Sequence, residues 1–299
     1  MKIFAPDYFG NFKCLMGECK HTCCADWEID IDSETAEYYK NVPGEFGKKL
    51  CSNIDFGEDD ASFVLCKDGR CPFLNEKGLC EIILNLGEDS LCQVCDDHPR
   101  FRNLYLSRTE IGFGLCCEAA AKLVLEKEEP TKIIEIDEDG FETEFSEYEE
   151  DFFAFREKIF DIIQDREKDF SERPAEILEL CSAKLPEKDF GEWAEIFLGL
   201  ERLDEKWTEI LEGIIENPKP PEIKDSVQAE QLLCYFIFRH LYPDYLSTTC
   251  SFAVLSLYMT EKAAEQCGIF EAARLFSSEI EYSDENTDII FEALNEGVF

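Results

Sequence analysis

The chain has 299 residues, with 67 acidic side chains against 29 basic ones and a formal charge of −38. A phosphate backbone or an anionic bilayer surface would repel such a molecule, which argues against nucleic acid as a partner. With 45% hydrophobic and 13% aromatic residues it is still able to build a core, as one large domain or two smaller ones.

The first residues, MKIFAPDYFGNFK, contain no apolar run of about 7–15 residues and no small-residue cleavage site, so they do not read as a signal peptide. The longest apolar run, 232–238, falls well short of the roughly 20 residues a membrane helix needs. A soluble cytoplasmic protein with no membrane insertion is expected. Thiols stay reduced there, and clustered cysteines then read as metal ligands rather than disulfides.

Residues 1–117 are irregular, rich in Gly, Asp and Asn, with one clear helix at about 33–41 started by Ser33 and Glu34 and followed by Gly44. Loops held by metal bonds rather than by a large apolar core have this texture. Glu118 opens a second helical pattern, EAAAKLVLEKEE, which ends before Pro130. Residues 131–145 alternate apolar and polar on both sides of Asp139–Gly140, a hairpin signal. From Glu147 onward helices are expected at about 148–170, 174–183, 190–200, 203–216, 227–242, 248–266, 269–277 and 284–295, punctuated by Pro186, Asn217–Pro221 and Pro243. No fixed-period repeat interrupts this pattern. The expected fold is mainly α. An irregular cysteine-rich metal-binding domain with a small β element (1–120) precedes a helical domain (121–299).

Twelve of the sixteen cysteines lie in the first 117 residues. They fall into Cys14-x4-Cys19-x3-Cys23-Cys24, Cys71 and Cys80, Cys92-x2-Cys95, and Cys116-Cys117. Thiolates two to four residues apart can turn back on one centre. Cys51 and Cys66 stand alone and read as buried structural thiols. Structural zinc favours sets that include histidine, and only His21, His98 and His240 are present. Many thiolates with little histidine suit one or two iron–sulfur clusters better, although spacing alone does not choose between the metals.

The stretches FKCLMGECKHTCCADWEIDID (12–32), GRCPFLNEKGLCEI (69–82), LGEDSLCQVCDDHPRF (86–101) and RTEIGFGLCCEAA (108–120), with QLLCYFIFRHLYP (231–243) less closely, resemble the flagellin lysine-N-methylase family. The resemblance implies metal ligation by Cys14, Cys19, Cys23, Cys24, Cys71, Cys80, Cys92, Cys95 and Cys117, and leaves Cys51, Cys66 and Cys116 outside the pattern. It implies an iron–sulfur protein, with a 4Fe-4S cluster favoured and zinc the alternative, that moves a methyl group from S-adenosylmethionine to lysines of flagellin. A non-enzymatic iron–sulfur or zinc protein, serving in electron transfer or as an interaction module, is the competing expectation.

Lysine methylation needs a neutral amine, a methyl sulfonium held in line and a destination for a proton. No Rossmann-type loop supplies the donor site: Gly112-Phe113-Gly114 lacks a third glycine, and close backbone packing near Cys117 explains it better. A radical-type C-x3-C-x2-C set is also missing, because Asp26 stands where the third cysteine belongs. His98 could be a ligand, a proton acceptor or a donor to a cluster sulfur, with a plain turn residue as the other reading. Arg100 and Arg102 could reach thiolates or form surface ion pairs. Glu28, Asp30 and Asp32 alternate as on a short strand, where they face solvent or receive a lysine. Tyr235 and Arg239 share a helix face, read as core packing ahead of a pocket lining.

Overall fold

The structure, a computed structural model, describes residues 1–25, 27–57, 61–138, 140–141, 143 and 145–295. The chain forms two compact units, one of Lys13–Phe101 and one of Met1–Phe12 with Arg102–Phe299. Strand β1 (Lys2–Pro6) thus belongs to the second unit, as do residues 102–120, which the sequence groups with the cysteine-rich region. The cause is long-range strand pairing: β1 finds its partners more than a hundred residues away.

The first unit contains β2 (Asp30–Ile31), α1 (Ser33–Lys40), α2 (Gly44–Ser52), β3 (Ile54–Phe56), β4 (Ala61–Phe63), α3 (Glu81–Leu86) and α4 (Gln93–Asp97). The strands form an antiparallel sheet in the order β2-β4-β3. Only α1 is legible in the sequence. Like α1 the other helices are short, nine, six and five residues long, but none has a side-chain cap from its own N-cap residue to mark its start. Gly44, read as the stop after α1, opens α2 instead. The unit also corrects the expectation of loops without an apolar core. Ile29, Tyr39, Leu50, Phe63, Phe73 and Ile82 are buried together, and the buried Cys71 and Cys92 are part of the same cluster.

Asp32 fixes this unit at two helix starts. One carboxylate oxygen accepts the Thr35 N–H at 2.9 Å and caps α1, and the other accepts the Gln93 N–H at 2.9 Å where α4 begins. Partial burial opposes its charge, but these amide bonds hold its pKa below the ordinary aspartate value. Asp32→Ala should therefore cost about 1–2 kcal/mol, the usual effect of a lost cap. A depressed pKa stabilises above the unfolded value and that contribution fades as pH falls through the folded one. The gap between the denaturation midpoints of wild type and variant should accordingly close in acid, and a gap independent of pH would refute this role.

Strand β5 (Arg100–Leu104) carries the chain out of the first unit, and β6 (Arg108–Phe113) follows after a tight turn. With β1 and β7 (Ile133–Glu138) they make a sheet in the order β5-β6-β1-β7, in which β1 runs parallel to β6 and antiparallel to β7. The first arm of the expected hairpin is therefore a strand paired with β1. Its turn and second arm include residues 139, 142 and 144, which lie outside the described residues.

Helix α5 (Glu118–Leu125) precedes β7. The remainder is helical: α6 (Glu147–Ile163), α7 (Arg173–Leu180), α8 (Phe190–Leu198), α9 (Glu205–Glu216), α10 (Ser226–His240), α11 (Leu246–Cys267), α12 (Ile269–Phe276) and α13 (Asp284–Asn295). The fold is mainly α, and the helices follow the sequence reading within a few residues except α6, which stops seven residues short. Amphipathic α6 buries Phe152, Phe153, Ile159, Phe160 and Ile163 and leaves its acidic side chains largely outward, each buried side chain contributing about 1.5–3 kcal/mol. Asp189 and Glu192 close a capping box that starts α8.

Helices α10 and α11 are apolar nearly all round and pack on each other at the centre of this unit. Glu230 enters that core because Arg173 reaches one carboxylate oxygen at 3.0 Å and Arg166 the other face of the group at 2.9 Å. Cys181, Cys234 and Cys250 are buried there as ordinary thiols. Among the described residues, no helix is long and apolar enough to cross a membrane.

Candidate metal centre

Eight of the nine expected ligand cysteines lie in the unit Lys13–Phe101, while Cys117 lies in the other, at the start of α5. Within the first unit Cys24, Cys71, Cys80, Cys92 and Cys95 are close enough for their charges to influence one another. Local structure explains the gathering. Cys92 precedes α4 and Cys95 sits in its first turn, so the C-x2-C spacing brings the two sulfurs within hydrogen-bonding reach. Cys80 precedes α3, and Leu74 and Cys80 form an isolated β-bridge. The Cys71 N–H donates to Cys24 O at 2.8 Å, tying the CC pair to the Cys71 loop.

Backbone donors are already aimed at these sulfurs. Phe73 N–H points at Cys71, Ile82 and Ile83 N–H at Cys80, and Cys95 N–H at Cys92. Such bonds favour thiolate over thiol. Against them, burial pushes Cys71 up to about 12 and raises Cys80. Within the Cys92–Cys95 pair, the shared hydrogen bond lowers Cys92 and raises Cys95. Cys24 is held down at about 7, chiefly by its hydrogen bond with Cys23 and further by Thr22 and Arg70.

Cys14, Cys19 and Cys23 occupy a loop whose regular structure is one 3-10 turn, Met16–Glu18. The loop is pinned by a close backbone approach: a Cβ on Gly17 would overlap Lys77 O, and Gly78, with φ of 70°, lies directly against Gly17. The glycines of CLMGEC and NEKGLC thereby bring the first cysteine loop against the Cys71–Cys80 segment.

His98 follows α4. Its ring stacks on Trp27 at 6.2 Å, and the Trp27 indole N–H donates to Cys23 O at 2.7 Å. Burial, aided by Arg100, pushes the imidazole down to about 4, so it is neutral near pH 7. Its Nε2 is buried with no hydrogen-bond partner among the described residues, which leaves a nitrogen able to ligate or to bond a further group. Arg100 Nη1 donates to Asp96 O at 2.6 Å. Asp32 is a cap rather than a lysine receiver, and Asp30 is exposed on β2.

Among the described residues no three His, Cys, Asp or Glu side chains are already arranged to hold a metal ion. The donor chemistry nonetheless fits thiolate ligation, with five neighbouring sulfurs, amide N–H groups directed at three of them and an orphaned imidazole nitrogen. Cys51 and Cys66 lie outside this group and are exposed, which corrects their reading as buried thiols.

The helical unit holds a polar cluster that the sequence shows only in part. Tyr235 and Arg239 on α10 do share a face, and they meet Glu281, at the end of a π-helical turn (Ser277–Glu281) that follows α12. Tyr235 Oη donates to Glu281 Oε2 at 2.7 Å, Arg239 Nη1 donates to the Tyr235 hydroxyl at 2.8 Å, and His240 Nε2 lies 2.6 Å from Glu281 Oε1. Burial opposes the Glu281 charge, yet Arg239 and the hydrogen bonds around it hold the carboxyl down at about 2. Burial also disfavours protonation of His240, so the pair is a carboxylate and a neutral imidazole, with Arg239 as the compensating cation. Gly114 packs against this cluster, since a Cβ there would overlap the Tyr282 hydroxyl. That close approach is what the Gly112–Gly114 pair was expected to mark. Glu281 itself carries no signal in the sequence, because the π-turn shifts the helical register just before it.

An alignment 132 positions long, covering 41% of this chain, is 24% identical to the Lysine-N-methylases of Salmonella typhimurium and Salmonella choleraesuis. The same length is 25% identical to the Flagellar biosynthetic protein FliU of Salmonella muenchen. The match spans 32% of each lysine-N-methylase and 76% of the FliU protein, so the chain covers about a third of the length of the two methylases. No protein-family profile matches the chain. No solved structure matches it.

Proposed function

We propose that this protein is a cytoplasmic protein-lysine N-methyltransferase that uses S-adenosylmethionine, carries a cysteine-ligated metal centre and acts on flagellin. The observation that carries the reading is the 132-position alignment with proteins named for lysine methylation and for flagellar biosynthesis. The metal centre is placed on Cys14, Cys19, Cys23, Cys24, Cys71, Cys80, Cys92 and Cys95, the expected ligands of the unit Lys13–Phe101, while Cys117, in the other unit, is a ligand only by the family resemblance. An iron–sulfur cluster, 4Fe-4S, is favoured over zinc because the set is rich in sulfur and poor in histidine. Ligation would draw the sulfurs together and deprotonate them, reversing the effect of burial at Cys71 and Cys80. The methyl donor supplies an electrophilic methyl; the lysine nitrogen forms the new bond, the sulfonium sulfur keeps the electron pair, and one proton leaves the amine. The chain's task is to hold a neutral amine in line with that methyl and to shield both from water.

Incubation of anaerobically purified protein with S-adenosylmethionine and flagellin should raise the mass of flagellin by about 14 Da per added methyl, localised to lysines by peptide mass spectrometry. Unmodified flagellin after incubation with protein whose metal content is intact would refute the reading. The alternative is a non-enzymatic iron–sulfur or zinc protein, for electron transfer or partner docking. It is supported by the short share of the methylases that the match covers. It calls for bound metal without binding of S-adenosylmethionine.

A further inference from the structure

The unit that contains α6 has a cleft of about 600 Å³, bordered by β1, β6, β7 and α6. Small-ligand sites commonly enclose about 300–1,000 Å³. In a chain with more than twice as many acids as bases, three of the cleft's lining residues are cationic: Arg108, Lys132 and Arg156. Two of these guanidinium groups share one buried carboxylate. Arg156 grips Glu110 with both terminal nitrogens, at 2.8 and 2.5 Å, and Arg108 Nη2 reaches the same group at 2.5 Å. One positive charge is left over.

Arg108 is the guanidinium with capacity to spare. Its carbon lies 3.2 Å from the Phe153 ring centroid and 4.5 Å from that of Phe4, so the group is held between two aromatic faces. Its Nε is buried with no hydrogen-bond partner among the described residues. Burial lowers the pKa of Arg108, whereas at Arg156 burial is more than offset by Glu110 and Tyr105 together.

The opposite sign is present as well. Glu157 and Asp161, four residues apart and so on one face of α6, border the same cleft and are exposed. A simple anion would meet these carboxylates and a simple cation would meet the arginines. A zwitterion satisfies both. A lysine side chain of a protein substrate has no carboxylate to offer, whereas an amino-acid-bearing sulfonium nucleoside has a carboxylate, two cationic centres and a flat aromatic base whose face suits the wall near Phe160 and Ile133.

We infer that this cleft is the methyl-donor site, with the donor's carboxylate on Arg108 and Lys132 and its cationic centres toward Glu157 and Asp161. The assignment rests on the methyl-transfer reading and adds the location that the sequence lacks a motif for. Hydrogen exchange of the full, anaerobically purified protein should slow at residues 131–134 and 157–164 when S-adenosylmethionine is added. In calorimetry Arg108→Gln should weaken its binding by about ten- to a hundredfold, the loss of a charge-assisted hydrogen bond. That variant leaves Glu110 in its two-bond pair with Arg156 but removes the cation held between Phe4 and Phe153, so some loss of melting temperature is expected with the fold retained. Should it fail to fold, the exchange measurement on the wild type decides alone. Protection confined to residues 13–101, or unaltered affinity in Arg108→Gln, overturns the cleft assignment and leaves methyl transfer standing. Neither heat nor protection in protein with intact metal overturns both.

Discussion

Replacing Glu281 with alanine should destabilise the helical unit by about 3–5 kcal/mol, the usual cost of removing one partner from a buried ion pair. The expected melting shift is roughly 10 °C for a unit of this size. The Arg239 side chain is 8% exposed and that of Glu281 0%, so neither charge has water to fall back on. Once the carboxylate is gone, the Tyr235 hydroxyl and His240 Nε2 lose a partner in the same step, and Arg239 loses its compensating charge while its bonds to the Tyr235 hydroxyl at 2.8 Å and the Glu281 carbonyl at 2.9 Å remain. Removing both charges should hurt less than the sum of the single changes. Glu281→Leu combined with Arg239→Met takes away the stranded cation and fills the space with apolar atoms. Additive losses in that double-variant cycle would show that the cluster is not a coupled unit.

The same cluster marks where sequence reading stops. Helices from Glu147 onward were legible because each buries an apolar face at regular spacing, and α10 with its buried run Leu232–Phe238 was the plainest. Glu281 was not, since one π-helical turn rotates every later residue and places a carboxylate under α10 where a continuous helix would have aimed it elsewhere. The unit boundary was hidden for a different reason. Residues 2–6 look like an ordinary start of chain, and nothing local says that Lys2 pairs with Arg108 on one side and Glu138 on the other. In the small unit the cysteines were visible as spacing, but the core beneath them was not, because its residues come singly from short elements such as β4 and α3. Asp32 illustrates the same limit: it reads as one of a row of acids on a strand, while its work is to cap two helices sixty residues apart.

Changing Cys92 and Cys95 together to alanine should abolish most of the metal binding, and this pair is the sharper test of the centre than any of the loop cysteines. Cys14, Cys19 and Cys23 sit on a loop with little regular structure, so a lost sulfur there could be replaced by a neighbour or by water. Cys92 and Cys95 are fixed by α4, already share a hydrogen bond and stand next to Cys24, Cys71 and Cys80. No other C-x2-C spacing occurs in the chain to substitute for them. Metal and sulfide analysis of anaerobically purified protein, with the visible absorbance spectrum, separates the outcomes. Iron and sulfide in the wild type, lost in the double variant and kept in Cys51→Ala and Cys66→Ala, fit a cluster on the proposed set. Zinc with the same pattern of loss keeps the ligands and changes the metal. Full metal content in the double variant would remove these two sulfurs from the centre, and with them the argument that α4 was built to present a ligand pair.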